Sequence, residues 1–453
     1  ILEGTKYILK TQTTLGSVYS NITFSEGLEM HTILGINILT QENNQSRDRT
    51  LAINEQGTAS VSNSTNSFWS LENYLNYKKT FAGIHSIAGL IGIGWQQTNV
   101  FNMSSSVQGF STDYFGFNNL GAGSTFPRVG SGAFKNSFNS YFGRINYALR
   151  DKYLLTVTAR ADGSSKFGEN HKFSFFPSAA LAWRISKEEF LKNSNLISNL
   201  KLRTSLGITG NSEIPAYSSL SVLNSNYAAI FNNTRVGGTN IGTLANPDLR
   251  WEKTTQSDIG IEIGLLKDRI SFEADVYYRK TTDMLLDAPV PTSSGYVTIR
   301  RNVGSMENKG IELTLNTVNL KTQSLSWNTT FNVSMNRNKV LSLATPSDIF
   351  DVGGPNFSGP TNIIRIGEPV GSFYGLVRLG TWNESEKAKA ANFTSYRGGL
   401  TLLPGDVKYL DVNGDNAITD ADRMIIGNGS PKAWGAFINS FRYKDLELII
   451  ELQ

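Results

Sequence analysis

Several segments of the chain alternate apolar and polar side chains with a period of two residues. In the segment 271–279, the even-numbered positions are Phe, Ala, Val and Tyr, whereas the odd-numbered positions are Ser, Glu, Asp, Tyr and Arg. Segments 258–263, 311–316 and 327–336 follow the same rule. Because successive side chains of a strand point to opposite faces, each segment has one apolar and one polar face. The pattern predicts an all-β chain.

The connections between the predicted strands alternate in length from residue 140 onward. The short ones are expected at Arg150-Asp151, 185–199, Lys267-Asp268, Lys321-Thr322 and Lys444-Asp445, and the longer ones at 162–171, 211–252, 283–306 and about 338–434. If every second connection is short, the short ones lie together at one end of the strands. Short periplasmic turns and long extracellular loops are typical of a transmembrane antiparallel β-barrel. A soluble sandwich also alternates its side chains, but it has no reason to sort its loops.

The composition excludes several other classes of protein. The 453 residues include no cysteine, so disulfide scaffolds, thiolate zinc sites and thiol nucleophiles are excluded. The three histidines, His31, His85 and His171, are scattered, and no set of nucleophile, base and orienting group is recognisable, so the chain is predicted not to be an enzyme. A net charge of +4 does not indicate a nucleic-acid partner.

The alternating pattern starts and stops abruptly. We count roughly 14 to 16 predicted strands, each near the ten residues that a tilted membrane strand needs. Residues 1–10 already resemble part of a strand, and residues 445–453 end in the middle of one. An open edge in lipid would leave backbone amides unpaired. We therefore expect residues 1–453 to be one receptor-like barrel, truncated at both ends.

Many motifs, in a fixed order, resemble one family. The pieces are YFGRINY (141–147), RADGSSKFG (160–168), FFPSAALAWRIS (175–186), NPDLRWEKTTQSDIGIE (246–262), NVGSMENKGIELTLN (302–316), PGDVKYLDVNGD (404–415) and GNGSPKAWGAFINSFRYKDLEL (427–448). They resemble the barrel of SusC/RagA-type TonB-linked (TonB-dependent) outer-membrane transporters. The resemblance is good from about residue 138 to the end, and residues 1–137 carry weaker motifs.

The resemblance implies a function. It implies a 22-stranded barrel in the outer membrane of a Gram-negative, Bacteroidetes-type bacterium, with an N-terminal plug that this chain lacks. It also implies energised nutrient import through TonB–ExbB–ExbD, which would act on the missing plug and TonB box, and a SusD-like surface lipoprotein over the mouth. The implied cargo is usually oligosaccharide and sometimes peptide. The alternative is a soluble or surface β-rich carbohydrate-binding or adhesion protein.

Cargo in such a transporter would pass along the polar faces of the strands. That polar wall is expected to include Glu273, Asp275, Arg279, Asn328, Asn332 and Asn336. Aromatic side chains placed in loops by the sequence could stack on sugar rings, or equally pack the loops together or meet the lid. They are Trp95, Phe101, Tyr114, Phe115, Phe117 and Phe126. Tyr and Trp near predicted strand ends, Trp251 among them, suit either an interfacial girdle or ordinary strands.

The segment 411–422, DVNGDNAITDAD, has the order of calcium ligands found in an EF-hand loop. The ligand positions 1, 3, 5, 7, 9 and 12 are Asp411, Asn413, Asp415, Ala417, Thr419 and Asp422. Position 6 is Asn416 instead of Gly, but Asn tolerates the left-handed backbone required there. Position 12 is Asp instead of Glu. The motif predicts a weak, structural Ca²⁺ site, and the alternative is an Asx-rich turn that binds nothing.

Overall fold

The computed structural model describes residues 4–51, 56–125, 128–352, 359–396 and 398–453. The chain forms two compact units, and each is described by itself. The first contains Ile1–Leu181, Ile208–Trp251 and Thr292–Arg300, and the second contains Ala182–Gly207, Glu252–Pro291 and Arg301–Gln453.

Fourteen of the described strands form one antiparallel sheet, in which strands that neighbour each other in the sheet follow each other in the chain order. They are β1 (Thr5–Ser25), β2 (Leu28–Arg47), β3 (Thr58–Phe81), β4 (His85–Gln108), β5 (Arg128–Leu149), β6 (Tyr153–Ser164), β7 (Phe173–Arg184), β8 (Ile197–Asn211), β11 (Glu252–Leu265), β12 (Ile270–Thr282), β15 (Ser305–Lys321), β16 (Leu325–Ser342), β23 (Trp434–Tyr443) and β24 (Leu446–Leu452). The count agrees with the sequence-based expectation.

The expected strand length was wrong for the first five strands. These strands have 20 to 24 residues, about twice the predicted ten. Ten residues suffice for a tilted strand to cross a bilayer. The strands are longer because cross-strand pairing continues without interruption, for example from Leu28↔Tyr77 to Arg47↔Thr58 between β2 and β3.

The remaining described strands lie within the long connections. They are β9 (Leu223–Phe231), β10 (Thr234–Ile241), β13 (Leu285–Pro289), β14 (Thr298–Asn302), β17 (Ile349–Val352), β18 (Pro360–Ile364), β19 (Ser372–Gly375), β20 (Arg378–Thr381), β21 (Val407–Tyr409) and β22 (Met424–Asn428), and the one described α-helix is α1 (Lys387–Ala390). By contrast, β5–β6, β11–β12, β15–β16 and β23–β24 are joined by two to four residues each. The predicted alternation of short and long connections is therefore confirmed at these four turns. It was wrong between β6 and β8, because the connection predicted short has 12 residues (185–196) and the preceding one, predicted long, has only eight (165–172).

Apolar side chains of the second unit form rows that cross several strands on one face of the sheet. Ile259 pairs with Val276, Val276 with Ile311, and Ile311 with Met335. Their exposed fractions are 62%, 54%, 45% and 48% in the same order. A sandwich would bury this face between two sheets. Its exposure argues against the soluble alternative and fits a face that meets lipid.

Large apolar side chains of the first unit are buried together around Trp251. Its ring packs against Phe138, Phe167 and Phe176, with centroid distances of 5.9, 4.9 and 5.4 Å. Trp251 is 3% exposed, and its Nε1–H donates to the Lys172 carbonyl over 2.9 Å. Trp251 is therefore not part of an interfacial girdle.

The same cluster fixes two connections to each other. The Gly168 N–H donates to the Leu249 carbonyl over 2.9 Å, and the Leu249 side chain is fully buried. A Cβ atom on Gly168 would lie 1.7 Å from the Pro247 carbonyl oxygen, so only glycine fits at this contact. The connection after β6 and the one before β11 are therefore held together at their bases.

No helix among the described residues is long and apolar enough to cross a membrane.

Candidate functional site

An ionic cluster lies on the polar face of strands β8, β11 and β12 in the second unit. The Arg203 guanidinium lies 3.3 Å from Glu262 and 2.5 Å from Asp275, and it also pairs with Glu273. Lys201 Nζ lies 2.9 Å from the same Glu262 carboxylate. Two cations therefore pair with three carboxylates, and each of the five side chains has an ionic partner within the cluster.

Glycine at position 260 leaves room for this arrangement. Gly260 pairs with Asp275 across β11 and β12. A Cβ atom there would lie 2.2 Å from the Asp275 carboxylate and 2.5 Å from Arg203 Nε. Any other residue would push the guanidinium off the backbone of β11, so the glycine positions the charge centre of the cluster.

The predicted polar wall is confirmed as one face within each of the strands β12 and β16. Glu273, Asp275 and Arg279 alternate with apolar residues along β12. Asn332 and Asn336 share a face of β16, and this face also carries Asn328. Their amides take part in hydrogen bonds: Asn336 Oδ1 accepts from Tyr277 Oη over 3.1 Å, and Asn332 Oδ1 accepts from the Ala436 N–H over 3.0 Å.

Sequence reasoning missed the two cations of the cluster. Lys201 and Arg203 alternate with Leu200, Leu202 and Thr204, so the alternating pattern alone could have placed them on the polar face. Their carboxylate partners are 59 or more positions away in sequence, and the alternating pattern does not give the register between strands.

The acidic loop 411–422 has the backbone turn that the motif requires. Asn416 adopts the left-handed conformation with φ 60°, as expected for position 6. The Asp411 carboxylate accepts from the N–H groups of Gly414 and Asn416, over 2.7 and 2.9 Å. The Asp415 carboxylate accepts from the Ala417 N–H over 2.7 Å and from the Asn413 amide over 2.8 Å. The loop is thus closed by its own hydrogen bonds.

Asp422 closes the end of this loop. Its side chain is fully buried, and its two oxygens accept from the N–H groups of Val412 and Thr419 over 2.9 and 2.8 Å. Burial by itself raises the pKa of the Asp422 carboxyl, but the N–H groups of Thr419, Val412 and Asn413 more than offset this, and the net pKa is lowered. Asp422 is therefore ionised and held inside the loop.

The three acidic side chains among the predicted ligands do not form a metal-binding group. Within the described ranges, no group of three or more His, Cys, Asp or Glu side chains lies close enough together to hold a metal ion. The Asp411, Asp415 and Asp422 carboxylates instead accept hydrogen bonds from the loop itself. This arrangement does not gather the acidic ligands of a calcium centre, and Ca²⁺ binding would require the carboxylates to move closer together.

The predicted loop aromatics separate into two groups. Trp95 and Phe101 lie in β4, at positions that share a face with Ile91, so their placement in a loop was wrong. Tyr114, Phe115 and Phe117 do lie in the connection after β4, where Phe117 packs on the cluster of Ala59, Val107 and Phe110.

Of the predicted loop aromatics that the structure describes, only Tyr114 and Phe115 are exposed rings in a loop. Tyr114 is 87% exposed and Phe115 is 38% exposed, and their rings meet edge to face at 5.6 Å. Phe126 lies outside the described residues.

Comparison with known proteins gives a consistent result. The family described as TonB dependent receptor-like, beta-barrel, matches residues 5–437. TonB-dependent receptor P3 of Formosa agariphila is 35% identical over 454 residues, which cover 98% of this chain and 44% of that protein. TonB-dependent receptor SusC of Bacteroides thetaiotaomicron is 35% identical over 288 residues, which cover 61% of this chain and 28% of SusC.

A solved structure agrees with the sequence relatives. The RagAB peptide transporter superposes with a TM-score of 0.82 at 25% identity, and the match covers 99% of this chain and 48% of that chain. The chain thus spans less than half the length of these relatives. Receptors of this kind are outer-membrane β-barrels and not enzymes, as the sequence predicted. The chain belongs to the TonB-dependent receptor family, as a β-barrel of the SusC/RagA type.

Proposed function

We propose that the full-length receptor imports a nutrient through the outer membrane, and that the nutrient is an oligosaccharide. One observation carries the proposal: the same strands present exposed apolar rows on one face and hydrogen-bonded polar groups on the other. Such a wall separates lipid from a polar pathway. The polar face binds cargo transiently, and the chain supplies no bond-making chemistry.

The proposal includes two partners. A SusD-like surface lipoprotein delivers the cargo, and TonB–ExbB–ExbD supplies energy through a plug and TonB box. The similarity to SusC and to the RagAB transporter supports both partners. A peptide is the second candidate for the cargo, because the RagAB relative is described as a peptide transporter.

Uptake by whole cells tests the function. The full-length receptor and its neighbouring lipoprotein are expressed in a host that lacks its own receptors of this type, and fluorescent oligosaccharides and peptides of similar size are supplied. We expect oligosaccharide to accumulate in the periplasm, and accumulation to stop when tonB is deleted. Accumulation of peptide alone would replace the proposed cargo. Uptake that continues without TonB would contradict the mechanism.

We further propose that loop 411–422 binds Ca²⁺ weakly as a structural ion. The left-handed Asn416, the buried Ile418 at position 8 and the buried, ionised Asp422 support the proposal. Because the acidic side chains are not gathered, binding requires a local rearrangement. Calcium titration of the full-length receptor, followed by proteolysis of this loop, provides the test. No protection at millimolar Ca²⁺, or equal protection in Asp415→Ala, would contradict the proposal.

A further inference from the structure

An uncharged patch covers part of the polar face of the first unit. Cross-strand pairing over β2, β3 and β4 places its side chains in two adjacent rows on one face of the sheet. We call it the amide–hydroxyl shelf, which consists of Gln41, Ser64 and Asn102 in one row and Asn43, Ser62 and Ser104 in the next. Neighbouring strands are about 4.8 Å apart, so amides and hydroxyls repeat at short, regular intervals.

The shelf forms the floor of an open groove. The groove has a volume of about 480 Å³ and continues onto β5, where Gly130 and Gly132 pair with Ser104 and Asn102. A Cβ atom on Gly132 would meet no atom within 4 Å. The two glycines therefore leave space above the sheet that a ligand can occupy without displacing protein atoms.

Polar groups of the shelf are left without protein partners. Ser64 Oγ donates to Asn102 Oδ1 over 2.7 Å, and the two Nδ2 hydrogens of Asn102 have no partner among the described residues. In the other row of the shelf, Asn43 Oδ1 is buried and has no hydrogen-bond partner among the described residues. Asn66 Oδ1, in the row next to the shelf, is in the same state. Buried polar atoms without partners are destabilising, so a ligand that donates and accepts hydrogen bonds would satisfy them.

The two rows of the shelf are uncharged, and the neighbouring rows carry little charge. Lys10 and Glu42 pair at 3.7 Å, but they lie one position out of phase and so point to the opposite face. The row on one side contains Gln45, Ser60 and Ser106, and its charged residue is Arg128 on β5. A ligand with several charges would find few counter-charges here, so the shelf is suited to a neutral one.

An aromatic ring lies in the row next to the shelf. Phe134 pairs with Val100 and lies two positions from Gly132, so it shares the face of the shelf. Its side chain is 39% exposed. A sugar ring combines a flat apolar surface with a rim of hydroxyls, and it can stack on an aromatic ring while its hydroxyls bond to amides. Phe134 beside the shelf favours a sugar over an extended peptide.

We propose that the amide–hydroxyl shelf and Phe134 bind an uncharged stretch of the oligosaccharide. This inference rests on the proposed import function and adds the residues that contact the cargo and the charge of the cargo. The Asn102 amide and the Ser104 hydroxyl bond to sugar hydroxyls. A turn of the Asn43 amide toward the groove gives its oxygen a hydroxyl partner.

Calorimetric titration of the full-length receptor in detergent tests the site. The probes are neutral hexasaccharides of glucose, mannose and galactose, a hexamer of galacturonate, and an uncharged octapeptide. We expect at least one neutral hexasaccharide to bind. Gly132→Leu, which fills the groove, and the double variant Asn43→Ala, Asn102→Ala should each weaken binding at least tenfold.

A matched control lies on the same strand. Asn99 of β4 is three positions from Asn102, so its side chain is on the opposite face, and it does not line the groove. Asn99→Ala should bind within twofold of the unmodified receptor. Binding of none of the neutral hexasaccharides, tighter binding of galacturonate or of the peptide, or equal losses in control and shelf variants would each overturn the proposal.

Cell uptake distinguishes the two proposals. If the unmodified receptor shows no TonB-dependent oligosaccharide uptake, the import function itself fails. If uptake occurs and Gly132→Leu leaves it unchanged, the import function stands and the shelf is not the binding site.

Discussion

The ionic cluster around Arg203 and the amide–hydroxyl shelf occupy equivalent polar faces and have opposite chemistry. In the cluster, two cations and three carboxylates satisfy one another. In the shelf, no side chain is charged, and some amide groups have no partner in the described chain. Self-satisfied groups hold strands together and have little left for a ligand. The contrast indicates that the cluster stabilises the wall, whereas the shelf is available for binding.

The apolar face tolerates a charged side chain less well than either polar region. Charged substitutions on this face should therefore have the largest effect on the free energy of unfolding. Leu313 pairs with Ala274 and Val333 and is half-buried, on the same face of the sheet as the exposed row that contains Ile311. Leu313→Arg should lower the free energy of unfolding by about 2–4 kcal/mol, because it places a charge in lipid. The matched change Thr314→Arg, on the polar face, should cost less than half as much. Guanidinium unfolding in lipid vesicles measures both, and equal losses would contradict the assignment of the faces.

Removing the shared cation of the cluster should have the next largest effect. Arg203→Met leaves Glu262 with Lys201 alone and leaves Glu273 and Asp275 without their cation. Because these side chains are partly exposed, we expect a loss of about 1–3 kcal/mol, less than for a fully buried pair. Adding Glu273→Gln and Asp275→Asn should restore much of the loss. The same unfolding assay applies, and a failure of the triple variant to recover would show that packing, not charge, is responsible.

A change in the shelf should not lower stability. Asn43→Ala removes a buried oxygen that has no partner, so the free energy of unfolding should stay unchanged or rise by up to about 1 kcal/mol. Binding of the neutral hexasaccharide should weaken in the same variant. If unfolding shows a loss above about 1 kcal/mol, Asn43 is a structural residue and the contrast between the two regions is lost.

The partly buried ion pair of Lys408 and Glu386 gives the smallest predicted effect. The hydrogen bond from Lys408, and then the Asn383 N–H, lower the pKa of the Glu386 carboxyl below its ordinary value of 4.5. A lowered pKa in the folded state stabilises the loop above pH 4.5, and this contribution is lost as the pH falls through the lower folded-state pKa. The hydrogen-exchange protection factors of residues 382–396 and 398–409, which correct for the intrinsic exchange rate at each pH, should therefore fall only below about pH 4.5. In Glu386→Gln this pH dependence should be reduced, and an unchanged profile would exclude the ion pair as its cause.

The sequence predicted the faces of the strands better than their lengths. The alternation of apolar and polar residues is clear where one face of a strand meets lipid, as in β12. The positions on that face are then apolar, and the positions on the other face are polar. In 40–47 and 58–66, both faces carry mainly polar residues, so the alternation vanishes although the strands continue. Trp251 was ambiguous for another reason: its neighbours in the sequence do not indicate that Phe138, Phe167 and Phe176 enclose it.

The candidate site was predictable only in part. The polar residues of β12 and β16 follow from alternation, and the left-handed turn at Asn416 follows from the motif. The shelf could not be predicted, because Gln41, Ser64 and Asn102 come from three strands and meet only through the register of pairing. For the same reason, no local signal joined Arg203 to its carboxylates.

The contact of Gly168 with Leu249 bears on how such receptors diversify. In the same connection, the Asn246 N–H donates to the Ser219 carbonyl over 3.0 Å, so the two ends of the segment that contains the hairpin β9–β10 are joined. A loop whose two ends are joined by hydrogen bonds tolerates changes in length and composition, because such changes need not move the strands that it connects. Residues 220–245 are therefore a natural place to graft a foreign epitope or the surface loop of another receptor.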